Sequence, residues 1–124
     1  MIYQLPPPQP KAEPQEQYSF LKAWGYQGSD EGQFNYPSGV AVDSSGNVYV
    51  SDLHNNHTQK FTSDGKFITM WWSYGEGEGE FNGPEDVDVD SSGNVYVVDG
   101  NNNQIQVFKQ VPTASNNHLP NAID

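Results

Sequence analysis

Apolar residues take every second position in short runs along this chain, and Gly-, Ser- and Asn-rich breaks separate the runs. Gly39-Val40-Ala41-Val42-Asp43 and Asp86-Val87-Asp88-Val89-Asp90 alternate with a period of two, as a strand with one buried face does. Val48-Tyr49-Val50 and Val95-Tyr96-Val97 follow, across Ser44-Ser45-Gly46-Asn47 and Ser91-Ser92-Gly93-Asn94. Those breaks hold residues that tolerate positive φ, so each predicts a tight hairpin. His57–Phe61 and Gln104–Phe108 predict a further strand in each half, and Phe20–Trp24 and Phe67–Trp71 another. No segment sustains an apolar period of 3.6, which predicts almost no helix.

The halves are copies. Residues 20–63 and 67–110 align without a gap at an offset of 47, with 23 of 44 positions identical. Four short antiparallel strands per copy predict an all-β chain built of propeller blades, whose period is about 40–50 residues. A unit of this kind cannot cover both of its own apolar faces, so it needs neighbours. The domain reading is therefore a Pro- and Gln-rich disordered tail or linker over 1–19, repeats at 20–66 and 67–111, and a disordered or truncated end over 112–124.

Charge narrows the set of partners. The net charge is −11, from 5 basic residues, all Lys, against 16 acidic ones. Phosphate backbones and anionic headgroups need clustered Lys and Arg, so neither nucleic acid nor a membrane surface is an expected partner. A cationic ligand or a protein is. There is no Cys, which removes disulfides and thiolate metal sites. No apolar run approaches the ~18 residues of a membrane-spanning helix, no signal peptide is readable at the start, and the compartment stays open.

The pattern Gly-x-x-x-Gly-x-Phe-x-x-Pro-x-x-Val-x-Val-Asp-x-x-Gly-Asn-Val-Tyr-Val-x-Asp, then Asn-Asn-x-x-Gln-x-Phe, spans most of residues 28–61 and recurs over 75–108. It resembles the NHL repeat. That resemblance implies a six-bladed β-propeller of four-stranded antiparallel blades, of which about two are present. In it Phe20–Trp24 and Phe67–Trp71 would each be the outer strand of the preceding blade. By position Gly28 and Gly75 take the family's loop glycines, and Pro37 and Pro84 lead into the innermost strand. Asp52 and Asp99 take the acidic position that closes the second strand, and Asn55 and Asn102 the motif's asparagine. Asn56 and Asn103 stand where the family often has His, which removes that ligand. The ring would be completed by further blades in the same chain or by a homotrimer, with Phe20–Trp24 lent to a neighbour.

Residues 76–90 concentrate seven carboxylates without a positive charge. Asp86 and Asp88 replace Gly39 and Ala41 of the first copy, so the repeat itself does not require them. Like charges on one strand face repel unless a cation joins them. Glu85, Asp86 and Asp88 are thus the candidate ligands for Ca²⁺ or another divalent cation, against the alternative of a solvated acidic rim. The loop residues Asp52, His54, Asn55, Asp99, Asn101 and Asn102 are the candidate interaction surface. No nucleophile–base arrangement or phosphate loop stands out, and no catalytic residue is assigned. The leading expectation is a non-catalytic module that binds a protein or ligand. The rival is part of a metal-assisted lyase- or lactonase-type propeller, which the resemblance also allows.

Overall fold

A computed structural model describes residues 3–10, 12–13 and 15–112. The described chain is almost wholly β, as expected. After a small parallel pair, β1 (Tyr26–Gln27) and β2 (Gln33–Phe34), come four strands: β3 (Pro37–Val42), β4 (Val48–Asp52), β5 (His57–Phe61) and β6 (Phe67–Trp72). They form one antiparallel sheet in chain order. β7 (Pro84–Val89), β8 (Val95–Asp99) and β9 (Gln104–Phe108) form a second, three-stranded sheet. A 3₁₀ turn at Gly100–Asn102 joins its last two strands and is the only helical element among the described residues. Both sheets are antiparallel meanders with the same bulge in the inner strand, between Pro37 and Gly39 and between Pro84 and Asp86. They are propeller blades.

The hairpin turns are closed by an aspartate in each blade. Asp43 Oδ1 accepts the backbone N–H groups of Ser45 and Asn47 at 2.9 Å each, and Oδ2 accepts the Tyr49 hydroxyl at 2.9 Å. Asp90 repeats this with Ser92, Asn94 and Tyr96. This is an Asx-type turn reinforced by a side chain from the returning strand.

The core lies between the blades. Val87, Val95 and Val97 of the second blade pack with Tyr49 of the first and Phe81, and Ala41, Trp71, Val89 and Phe108 border them. The repeat lets each side of this contact be compared with its unpartnered copy. Val87 is 4% exposed and its equivalent Val40 is 63% exposed. Tyr49 is 3% exposed and its equivalent Tyr96 is 38%. At about 1.5–3 kcal/mol for burying one such side chain, a sheltered and an unsheltered face differ by several kcal/mol. Two polar bonds also cross the junction. Ser38 Oγ donates to Pro84 O at 2.8 Å, and Gly83 N donates to Asn56 Oδ1 at 2.8 Å. Gly39 permits the close approach of β3 and β7, because a Cβ there would stand 2.8 Å from the Asp86 Cα.

One expected strand is absent. Phe20–Trp24 forms no ladder, although its copy Phe67–Trp71 lies within β6. A strand needs a partner for its N–H and C=O groups, and no described strand pairs with this segment. Its side chains are seated nonetheless. The Trp24 ring lies 5.7 Å from Phe61, as Trp71 lies 5.6 Å from Phe108. Lys22 Nζ donates to Ser63 O at 3.1 Å and to Asp64 at 3.2 Å. Residues 3–10, 12–13 and 15–19 carry neither strand nor helix and are exposed, while the expected C-terminal end falls, apart from Pro112, outside the described residues. No described helix is long and apolar enough to cross a membrane.

One buried hydroxyl tests the blade packing. Thr58 Oγ1 is fully buried and has no hydrogen-bond partner, and the second blade places Ile105 at the same position. Thr58→Val is expected to stabilise the fold by about 1 kcal/mol, the order of cost of a buried unsatisfied group. Denaturant unfolding measures this, and a destabilised variant would show that the hydroxyl has a role this packing does not account for.

Candidate functional site

The strand ends at Asp52 and Asp99 carry one construction twice. Asp52 is fully buried, and both of its oxygens accept the Asn35 N–H, at 3.0 and 2.9 Å. Oδ2 also accepts Asn55 Nδ2 at 2.7 Å and lies 2.9 Å from His57 Nε2. Asp99, also fully buried, accepts Asn82 N at 2.7 Å, Asn102 Nδ2 at 2.8 Å, Gln104 Nε2 at 3.0 Å and Gln106 Nε2 at 3.2 Å. A buried carboxylate is tolerable only when its lone pairs are filled in this way.

The amides extend the bracket to the Gly-rich loop. Asn55 Nδ2 donates to Gly28 O at 2.7 Å, and Asn102 Nδ2 to Gly75 O at 2.7 Å. Gln59 accepts Gly32 N and donates to Gln33 O, both at 2.8 Å. Gln106 does the same with Gly79 N at 2.9 Å and Glu80 O at 2.7 Å. Gln59 and Gln106 were not among the residues expected to matter. Their signal is available in the sequence: both copies keep Gln between positions that differ, Thr58-x-Lys60 and Ile105-x-Val107.

The candidate loop residues thus divide into two groups. Asp52, Asn55, Asp99 and Asn102 form the bracket, and the two aspartates are inaccessible to a ligand in this form. His54 and Asn101 are exposed. His54 stacks on Tyr36 with ring centroids 5.2 Å apart and planes at 21°. Asn101 Nδ2 donates to Asn82 Oδ1 at 3.1 Å. The loops are tied into one rim: His54 N donates to Asn35 O, Asn101 N to Asn82 O, and Gly83 N to Asn56 across the blades.

Glu85, Asp86 and Asp88 are exposed on the inner strand that starts at this rim. Asp86 Oδ1 accepts Val87 N and Asp88 Oδ1 accepts Val89 N, both at 2.9 Å, while Glu85 lies against Gly100. Among the described residues no three His, Asp or Glu side chains form a group of metal-holding geometry. None of these three carboxylates is in an ion pair there either; the Lys pair is Lys22 with Asp64, far along the chain.

The sequence profile described as NHL repeat matches residues 34–61 and again 81–108. The two units are NHL repeats. The NHL-repeat region is similar to the B-box type zinc finger protein ncl-1 of Caenorhabditis elegans, with 46% identity over 44 residues, 36% of this chain and 5% of that protein. It is similar to protein lin-41 of the same organism, with 42% identity over 48 residues, 39% of this chain and 4% of that one. Protein brain tumor of Drosophila melanogaster is 43% identical over 44 residues, again 36% of this chain and 4% of the relative. The matched segment is thus a small part of each of these proteins.

Titration reports on the NHL blades' polar brackets. Burial works against the charge of Asp99, but the bonds from Asn82, Gln104, Asn102 and Gln106 outweigh it and hold its carboxyl below the ordinary value. Asp43 is likewise lowered, with burial opposing and the bonds from Asn47, Tyr49 and Ser45 prevailing. Asp90 is lowered chiefly by the Asn94 side chain and backbone. Burial and then Asp43 push the Tyr49 hydroxyl up to about 12, so it stays a donor. Depressed carboxyls bind fewer protons folded than unfolded, so their contribution is complete above the unfolded value near ~3.9 and is lost as pH falls through the lower folded one. Relative to the D43N/D90N variant, the parent chain is expected to lose stability below about pH 4 and none above about pH 5. Thermal melts across that range check it, and parallel pH profiles for the two chains would contradict it.

Proposed function

We propose that this chain is a non-catalytic, protein-binding part of an NHL propeller, and that its rim takes a cationic segment of a partner. The observation that supports this most is charge without compensation. Glu85, Asp86 and Asp88 stand exposed on the second blade's inner strand, free of ion pairs among the described residues. The first blade has Ser38, Gly39 and Ala41 there, so the fold does not ask for the charges. On the first blade the hydrogen-bonded rim also carries the Tyr36–His54 stack, a flat aromatic contact. Uncompensated carboxylates suit Lys- or Arg-bearing chains, and an exposed aromatic pair on the same rim can add cation–π to ion pairing. Further blades shelter the open faces and complete the ring.

The probe is a Lys/Arg-rich peptide of about ten residues, compared with a neutral peptide of matched length, in titration calorimetry. Binding of the basic peptide is expected to weaken at least tenfold between about 50 and 300 mM salt, because rim charges are screened over roughly a Debye length. Glu85→Gln with Asp88→Asn is expected to weaken it several-fold without moving the melting temperature. Equal binding of both peptides would overturn the reading. Calcium heat that Asp86→Asn and Asp88→Asn abolish, with no peptide heat, would assign the carboxylates to a metal ion instead.

A further inference from the structure

The joint between the two blades runs through a peptide bond that is chemically labile. Asn82-Gly83 is the only Asn-Gly pair in the sequence. An asparagine amide is lost most readily before glycine, because no Cβ hinders attack of the next backbone nitrogen on the side-chain carbonyl. Glycine suits this place: Gly83 has a φ of 71°, and a Cβ on it would stand 2.9 Å from Asn101 Nδ2. The first copy has Asn35-Tyr36 here, so the repeat does not carry the labile pair twice.

The Asn82–Gly83 peptide unit is held at both of its polar ends. Its carbonyl, Asn82 O, accepts Asn101 N at 3.0 Å. Its N–H, on the buried Gly83, donates to Asn56 Oδ1 of the first blade at 2.8 Å. One residue on, Pro84 O accepts Ser38 Oγ, also of the first blade, at 2.8 Å. The amide open to attack is held as well, since Asn82 Oδ1 accepts Asn101 Nδ2 at 3.1 Å. Ring closure requires Gly83 N to lose its proton and to meet Asn82 Cγ along a line of attack. A buried proton engaged by Asn56 is closed to base, and any turn of the peptide plane breaks the Asn56 and Asn101 bonds together.

We propose that Asn82-Gly83 is a self-modifying site gated by the blade joint, silent while Asn56 holds the Gly83 N–H and reactive when the joint opens. In the open state Gly83 N gives its proton to base and bonds to Asn82 Cγ. The Cγ–Nδ2 bond breaks, and the nitrogen takes up a proton and leaves as ammonia. Water then opens the cyclic imide at either carbonyl. Opening at Cγ gives aspartate, and opening at the main-chain carbonyl gives isoaspartate. The sum is amide plus water to acid plus ammonia. Both products add a negative charge three residues before Glu85. Isoaspartate also puts one more carbon between the nitrogen that bonds Asp99 and the nitrogen that bonds Asn56, so the two bonds no longer fit together and the opening becomes permanent. None of this depends on what the rim binds.

Incubation of the full chain in mildly alkaline buffer, with peptide mapping for the amide-to-acid mass shift, reads the site directly. Loss of the Asn82 amide is expected to be at least about tenfold slower in the folded chain than in a free peptide of residues 78–87, and to match the peptide in strong urea. Asn56→Ala removes the acceptor, and Ser38→Ala loosens the same joint without touching the pair. Each is expected to speed the loss several-fold while circular dichroism shows the blades still folded. Asn56→Asp, which keeps an oxygen at that place, is expected to stay slow. The isoaspartyl chain, separated by ion exchange, is expected to melt below the parent. A folded parent that reacts at the peptide's rate, folded Asn56→Ala and Ser38→Ala chains that react as slowly as the parent, or an isoaspartyl chain with the parent's melting temperature would overturn the inference.

Discussion

Along its inner strand, a blade of this chain is dry only where another blade lies against it. The sheet does not shelter these positions itself, so their burial is set by the neighbour and not by the residue. Val87 and Val40 make the point: one position of the repeat, one residue type, and opposite exposure. Tyr49 and Tyr96 make it for the other face. Everything else in the structure either fixes the blade that carries those side chains or fixes the spacing between blades.

The fixing of each blade is polar and local. Asp43 and Asp90 close the hairpins at one end, and Asp52 and Asp99 gather the loops at the other. The second set links strand end, Asn-rich loop and Gly-rich loop through one buried carboxylate and two amides. The loops at the rim are thereby presented in one arrangement before anything binds, which lowers the ordering cost of recognition. The bracket is the reason that substitution can vary the rim residues, His54 against Asn101 or Tyr36 against Gly83, while the frame below stays constant.

Much of this was legible because the chain states it twice. The strands β3 to β9, the Asp-Ser-Ser-Gly-Asn turns and the need for more blades all follow from alternation and the 47-residue offset. Phe20–Trp24 reads as a strand from its similarity to Phe67–Trp71, and the similarity is sound; the ladder also depends on a partner that a sequence pattern does not reveal. Asp52 reads as the residue that closes a strand beside an Asn-rich loop, and the geometry shows that its polarity and that of Asn55 are turned inward. Gln59 and Gln106 look like routine strand positions for the same reason. Asn56 stands where the family often has His, and its side-chain oxygen accepts the Gly83 N–H of the next blade.

The most direct measurement compares one substitution at equivalent positions. Val87→Asn and Val40→Asn change the same residue of the repeat, one under a neighbouring blade and one not. Val87→Asn should cost about 2–4 kcal/mol in denaturant unfolding and Val40→Asn under about 1. Equal costs for the two would contradict the account, because shelter would then come from within each blade and not from its neighbour.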